Sequence, residues 1–266
     1  MEVKHNMSAM NNNRGIAGNA TSNSKSTEKL SSGYKINRAA DDAAGLAISE
    51  KMRAQVSDLN QNHANVQHGI DIAKTAEGAL SEIQNILQRM YEVATVVVDE
   101  KDRGAIQNEV DQLVTEIDGI VEMTGYNKFV LLKGVIITIK LNPESPTSSD
   151  LEMEIRPMYT KDLGVKGLSV GDGNNIQNIS DTIKDAIQTV STQRSTVAAF
   201  QNRLEHTLNN LNNVMENMQD AESRIRDMSM AHEMVKYTKQ NIIAQAGKAM
   251  LEQENESTQG VLSLLQ

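Results

Sequence analysis

One short segment invites a reading as a catalytic metal centre. His232-Glu233-Met234-Val235-Lys236 nearly spells the helix of a zinc protease. That chemistry needs two imidazoles four residues apart on one helical face, with the glutamate as general base. Here the fifth residue is a lysine, whose ammonium group repels a cation. His5, His63, His68 and His206 form no ligand cluster. With no cysteine there is no thiol nucleophile, no thiolate ligand and no disulfide. The paired carboxylates Asp41-Asp42 could hold a cation or work as an acid pair, but they stand where a helix opens, so capping is the simpler reading. Arg194, Arg203, Arg224 and Arg226 lie among abundant Glu and Asp and read as a solvated charged face. The Met residues fill apolar seams and need no cofactor. The expectation is a protein without catalytic residues, metal or cofactor.

Composition narrows the partners. A net charge of -9 over 266 residues disfavours nucleic acid, since phosphate binding needs a basic stripe. No run approaches the roughly 18 apolar residues that read as a membrane span. The first thirty residues lack the apolar core, about 7–15 residues long, of a cleavable secretory signal. All prolines, Pro143, Pro146 and Pro157, fall in one short stretch, and residues 174–246 carry neither proline nor glycine. Few aromatics and no Trp, with abundant Ala, Gln, Asn, Glu, Met and Leu, favour long helices packed along narrow seams.

The elements that would position these side chains follow from spacing. Val3, Met7, Met10 and Ala17 form a heptad-like stripe on a helix ending near Ser31-Ser32-Gly33, where glycine takes the left-handed cap. A second helix opens at Asp41-Asp42 and runs to about Val98. Its seam is Met52, Val56, Leu59, His63, Val66, Ile70 and Ala73, then, after a break near Ala76, Leu80, Ile83, Leu87, Met90, Ala94 and Val97. Alternating steps of four and three sustained this long signal a coiled coil, with His63 as a polar register residue. Asp99–Asp102 marks a turn. A third helix carries Ile106, Val110, Leu113, Ile117 and Ile120 and ends at Gly125 and Asn127. Val135–Ile139 reads as a β-branched strand, and Leu151, Met153 and Ile155 alternate with charges as a second, with Pro143–Pro146 in the loop between. From Ile176 the chain is helical again, with a seam at Leu204, Leu208, Leu211, Met215, Met218 and Ile225 and a polar slot at Glu222. The last helix carries Met250, Leu251, Val261, Leu262, Leu264 and Leu265. The fold class is therefore mainly α: long antiparallel coiled-coil helices from both termini with a small central β-hairpin region.

Residues 24–50, SKSTEKLSSGYKINRAADDAAGLAISE, closely resemble the N-terminal signature of bacterial flagellin. Further matches are Thr75–Leu80, Leu87-Gln88-Arg89, Ala105–Glu109, Phe200–His206, Ala221–Arg226, Ala244–Gly247 and Ser257–Gln266. The resemblance covers most of residues 1–134 and 176–266. It implies an extracellular subunit of the flagellar filament, serving motility. The corresponding division is an inner-tube arm at 1–40, rod segments at 41–134 and 176–235, a β insert at 135–175, and a second inner-tube arm at 236–266. The large outer domains of many flagellins are absent. The implied partners are further copies of the chain, the export apparatus and its chaperone, and the filament cap and junction proteins. Export through the hollow flagellum without cleavage is expected. The polymerisation seams are read as Val3, Met7, Met10 and Ile16 at one end and Leu251, Val261, Leu262, Leu264 and Leu265 at the other. Burying the first four would return roughly 6–12 kcal/mol, whereas ordering residues 1–30 costs about 1–2 kcal/mol per residue in backbone entropy. The arm is thus expected to order only as copies assemble.

The resemblance also implies a contact with the animal Toll-like receptor for flagellin through Leu87, Gln88, Arg89, Glu92, Val93 and Glu109. That contact is expected to be weakened, because Val93 replaces a leucine and the turn after it is shortened. Other departures are Ala198 at a usual glycine, His232 at a usual acidic position, and Glu2. The competing readings are a hook–filament junction protein, which shares the N-terminal signature, and a minor or specialised flagellin. An enzyme on a flagellin scaffold would need a catalytic domain that the short central region cannot supply.

Overall fold

A computed structural model describes residues 6–95, 103–141, 150–169 and 176–264. The chain runs α1 (Met7–Ser32), α2 (Ala43–Thr95), α3 (Arg103–Met123), β1 (Gly125–Tyr126), β2 (Phe129–Val130), a 3-10 turn (Leu131–Lys133), β3 (Val135–Ile139), β4 (Leu151–Ile155), α4 (Ile176–Arg226) and α5 (Met230–Leu264). It is mainly α with a small antiparallel β region, as the periodicity predicts. The expected turn at Asp99–Asp102 and the Pro143–Pro146 loop lie outside the described residues. Two compact units are present, residues 57–215 and residues 1–56 with 216–266. The unit boundaries fall inside α2 and α4, away from the helix breaks at 33–42 and 227–229.

The 57–215 unit has a conventional core. Along α2, Val66, Ile70, Ala73, Ala76, Leu80, Ile83, Leu87, Met90 and Ala94 are all buried. The break near Ala76 is a single extra step of three, and Ala76 itself stays in the seam. On α4, burial begins well upstream of the predicted seam, at Ile179, Ile183, Ala186, Val190, Val197 and Phe200. Beyond Leu204 it declines, and Leu208 and Leu211 are only half-buried. Helix α3 adds Val110, Ile117 and Val121. Strands β3 and β4 pair antiparallel from Val135↔Ile155 to Ile139↔Leu151. Their inner face buries Ile139, Met153 and Ile155, while Ile136, Thr138, Glu152 and Glu154 face out, the period-two division of a one-sided sheet. Gly69 is required by this packing: a Cβ there would overlap the Ile139 side chain and sit 3.2 Å from Leu204 Cδ1. Ala198, the departure from glycine, is exposed, so no close packing within this unit depends on it.

One small element is absent from the sequence reading. The residues expected only to end α3 form a two-stranded hairpin, Gly125↔Val130 and Tyr126↔Phe129. Its loop residues Asn127 and Lys128 both take positive φ, 48° and 70°, the twist that a two-residue hairpin loop demands.

The other unit holds α1, α5, the start of α2 and the end of α4. Helix α1 ends as predicted, with Gly33 at φ 78° and its N–H donating to Lys29 O at 2.8 Å. Asp42 caps α2 by accepting from Gly45 N at 3.0 Å. Asp41 instead accepts from Asn37 N and Arg38 N and shapes the loop before it. The two interhelical loops lie side by side. Lys35 N donates to Arg226 O at 2.6 Å and Met228 N to Gly33 O at 3.2 Å, around a bridge between Tyr34 and Asp227. The Arg226 guanidinium stands 4.8 Å from the Tyr34 ring centroid and pairs with Glu50 at 2.8 Å.

Candidate assembly surface

Helices α1 and α5 run antiparallel, and their inner positions follow heptad spacing. On α1 these are Ala9, Asn12, Ile16, Asn19, Asn23, Ser26 and Leu30. On α5 they are Glu233, Tyr237, Gln240, Ala244, Gly247, Leu251, Glu254 and Thr258. The geometry is that of a coiled coil, but most of the chemistry is polar. Asn12 Nδ2 donates to Gly247 O at 3.2 Å and Asn19 Nδ2 to Gln240 O at 2.7 Å. Asn23 Nδ2 donates to Asn241 Oδ1 at 2.8 Å, and Asn6 Nδ2 to Thr258 Oγ1 at 3.1 Å. Ser26 Oγ donates to Glu233 Oε1 at 2.7 Å, both residues being buried. Ile16 packs over Gly247, where a Cβ would come within 2.9 Å of its Cγ1.

Glu233 therefore has a structural place. It sits in the first turn of α5, where the helix dipole favours a negative charge. Burial raises its pKa, but hydrogen bonds from Ser26 and Lys236 and the charges of Lys236 and Lys29 outweigh that, holding the carboxyl below the ordinary glutamate value. His232 is exposed, and the described residues contain no cluster of three or more His, Asp or Glu able to hold a metal.

The outer faces of the same helices carry several large apolar side chains among polar ones. Met7 is 69% and Met10 57% exposed on α1, in the stripe that the sequence reading assigns to contacts between copies. Ala17 is exposed too, and among the described residues of the predicted α1 seam only Ile16 turns inward within the chain. On α5, Met234, Val235, Thr238, Lys239, Ile242 and Ile243 line a shallow groove with an almost wholly apolar surface. Val235 is 69% and Ile242 61% exposed. Leu251 faces α1 half-buried, whereas Met250 points out. Val3 and Leu265, and the side chains of Val261, Leu262 and Leu264, lie outside the described residues. A search for apolar stripes passes over Asn12, Asn19, Asn23 and Ser26, whose heptad spacing was the available signal.

The residues of the expected receptor contact divide in two. Leu87 is 0% and Val93 6% exposed, both core residues of the 57–215 unit. Gln88, Arg89 and Glu92 are exposed on the opposite face of α2, and Glu109 is half-buried on α3. Arg89 donates through Nε and Nη2 to Glu109 Oε1, at 3.1 and 2.9 Å, and lies 3.6 Å from Glu92.

Comparison with known proteins accounts for both ends of the chain. Residues 3–136 match the family described as bacterial flagellin N-terminal helical region, and residues 180–265 match the bacterial flagellin C-terminal helical region. A flagellin of Halalkalibacterium halodurans is 44% identical over 271 residues, covering all of both chains. The flagellar filament 33 kDa core protein of Treponema phagedenis is 42% identical and a flagellin of Bacillus subtilis 41% identical, each again over the full length of both chains. A crystal structure of Bacillus cereus flagellin aligns with 56% of this chain and 88% of its own, at 27% identity and a TM-score of 0.47. With family matches at both termini and full-length relatives of this similarity, the chain belongs to the bacterial flagellin family.

Proposed function

We infer that this flagellin is a structural subunit whose copies polymerise into the filament of the bacterial flagellum, outside the cell. Beyond family membership, one observation carries the reading: α1 and α5 spend polar residues on each other and keep Met7, Met10, Val235, Ile242 and Ile243 on their outer faces. Covering such side chains stabilises by about 1.5–3 kcal/mol each when burial is complete. Copies of the same α1–α5 pair, the terminal hairpin, offer the matching apolar surface. Val3, Val261, Leu262, Leu264 and Leu265 extend that surface in this proposal. No enzymatic step is assigned, and nothing favours a junction-protein or minor-flagellin role over the filament.

The test is seeded growth followed by electron microscopy. Met10→Asp combined with Ile242→Asp should stop elongation while the 57–215 unit melts as in the parent chain. Tubes of parental length from this variant would reject the assembly surface.

The finer partners follow from family membership and remain part of the proposal. Export without cleavage, chaperone binding and capping at the tip are expected of a filament subunit. Among the described residues no helix is long and apolar enough to cross a membrane. A contact with the Toll-like receptor for flagellin would fall to Gln88, Arg89, Glu92 and Glu109, because Leu87 and Val93 are buried. An Arg anchor gains most when apolar neighbours exclude water around it. Burial of those two residues removes them as that surround, which supports a weak contact.

A further inference from the structure

Heptad geometry alone does not choose how α1 and α5 align. Sliding one helix by seven residues restores every inner position to an inner position. The Asn12 and Asn19 bonds do not choose either, because each goes to a backbone carbonyl and every turn of a helix supplies one. At the loop end the backbone bonds from Lys35 N to Arg226 O and from Met228 N to Gly33 O restrain the alignment, at the far end Asn6 bonds Thr258 and Ser8 bonds Glu254, and three further contacts between them are side-chain specific. We propose that Ile16 over Gly247, Asn23 with Asn241 and Ser26 with Glu233 form a register lock, selecting one antiparallel alignment of the hairpin from its heptad-shifted alternatives.

Each shifted alignment breaks all three contacts. Seven residues toward the C-terminus of α5, Ile16 meets Glu254, Asn23 meets Lys248 and Ser26 meets Gln240. Seven residues the other way, Ile16 meets Gln240, Asn23 meets Met234, and Ser26 runs beyond the start of α5. In the first case the isoleucine loses the glycine notch to a long charged side chain. In the first case Glu233, buried in the observed alignment, also loses the Ser26 hydroxyl and meets Gly33, and in the second it exchanges that hydroxyl for the Asn19 amide. Losing a buried hydrogen bond to a charged group shifts an equilibrium by about tenfold or more. A continuous leucine seam would not make this distinction, since every leucine layer accepts every other. Polar residues at inner positions are the established way for a coiled coil to fix alignment at some expense of stability. The lock rests on the hairpin alone, so its test is independent of whether copies polymerise.

The chain has no cysteine, so an introduced pair supplies the only thiols. Moving one heptad step from the layer of Asn12 and Gly247 sets Ala9 against Leu251. Ala9→Cys with Leu251→Cys reports the observed alignment, and Ala9→Cys with Ala244→Cys or with Thr258→Cys reports the shifted ones. Each pair is placed in the full chain, oxidised mildly, and the internal disulfide quantified by peptide mass spectrometry. In the parent background the 9–251 bond should dominate. In Asn23→Ala/Ser26→Ala/Gly247→Ala, the shifted bonds should rise about tenfold relative to it. Alanine favours helix over Asn, Ser and Gly, so helix failure would not explain the shift. Asn12→Ala/Asn19→Ala should lower all three yields without changing their ratio. Comparable yields of the three bonds in the parent, an unchanged ratio in the triple variant, or an equal shift in the Asn12/Asn19 variant would each overturn the lock.

Discussion

In the 57–215 unit the inner positions of the long helices are Leu80, Ile83, Leu87, Ile183 and Leu204, and charges such as Arg89 and Glu92 face out. In the α1–α5 pair the inner positions mix Asn12, Asn19, Asn23 and Ser26 with Ile16, Leu30 and Leu251, while Met7, Met10, Val235 and Ile242 stand outside. Both follow the same heptad spacing, so spacing determines how helices meet while side-chain chemistry determines how firmly. An apolar core makes the first region stable by itself. A mixed seam leaves the second less firmly held, and its exposed apolar side chains are the ones proposed to meet other copies.

The contrast can be broken most severely by deletion. Removing residues 1–30 should abolish seeded growth, read by light scattering, while the melting temperature of the 57–215 unit stays unchanged. A filament of normal length from that truncation would mean that the outer faces are not the assembly surface. Next in size, Leu80→Ala should destabilise the bundle by about 2–5 kcal/mol in denaturant unfolding, as expected for a fully buried leucine.

Acid should act selectively on the hairpin and its neighbouring joint. The Glu233 carboxyl is held below its ordinary value despite burial, and the hydrogen bond from Arg226 does the same for Glu50. Depressed folded-state values mean that these groups add stability above the unfolded-state pKa, about 4.3 for glutamate. That stability is lost as pH falls through the lower folded-state values. Circular dichroism should show helix loss in acid, with a shallower loss in Glu233→Gln. At neutral pH, Ser26→Ala should cost about 1.5–3 kcal/mol of hairpin stability through its bond to the buried carboxylate. The smallest effect belongs to Arg89→Ala, whose exposed pairs with Glu92 and Glu109 contribute about 1 kcal/mol or less to folding. Any larger consequence, in receptor binding by the monomer, would then belong to the contact and not to the fold.

Much of this architecture was legible in the sequence because it rests on local chemistry. Gly33 ends α1, Asp42 opens α2, and the steps from Val66 to Ala94 define the α2 seam. Alternation of Leu151, Met153 and Ile155 with charges defines β4. The failures are equally specific. Lys128 at positive φ carries no turn signature, so β1 and β2 were hidden. Gln193 interrupts the upstream α4 seam with a buried amide that donates to Glu154 O at 2.9 Å, a bond that only the folded strand can reveal. Leu87, Arg89 and Val93 are close in sequence but point in different directions around α2, so only part of the expected receptor contact is exposed.

The two loops on either side of Arg226 have a mechanical consequence. A long helix resists bending because its hydrogen bonds run unbroken along its axis, and a second helix alongside can splint a gap in the first. Between residues 33 and 42 and between 227 and 229 both helical tracks are interrupted, and the loops are hydrogen-bonded to each other. Neither track can therefore brace the other at that level. Flexural compliance is concentrated there, restrained by the Tyr34 ring and the Glu50 carboxylate gripping one guanidinium. Bending imposed on this part of the chain is expected to be taken up first at that joint, where no helical hydrogen bonds run along the axis.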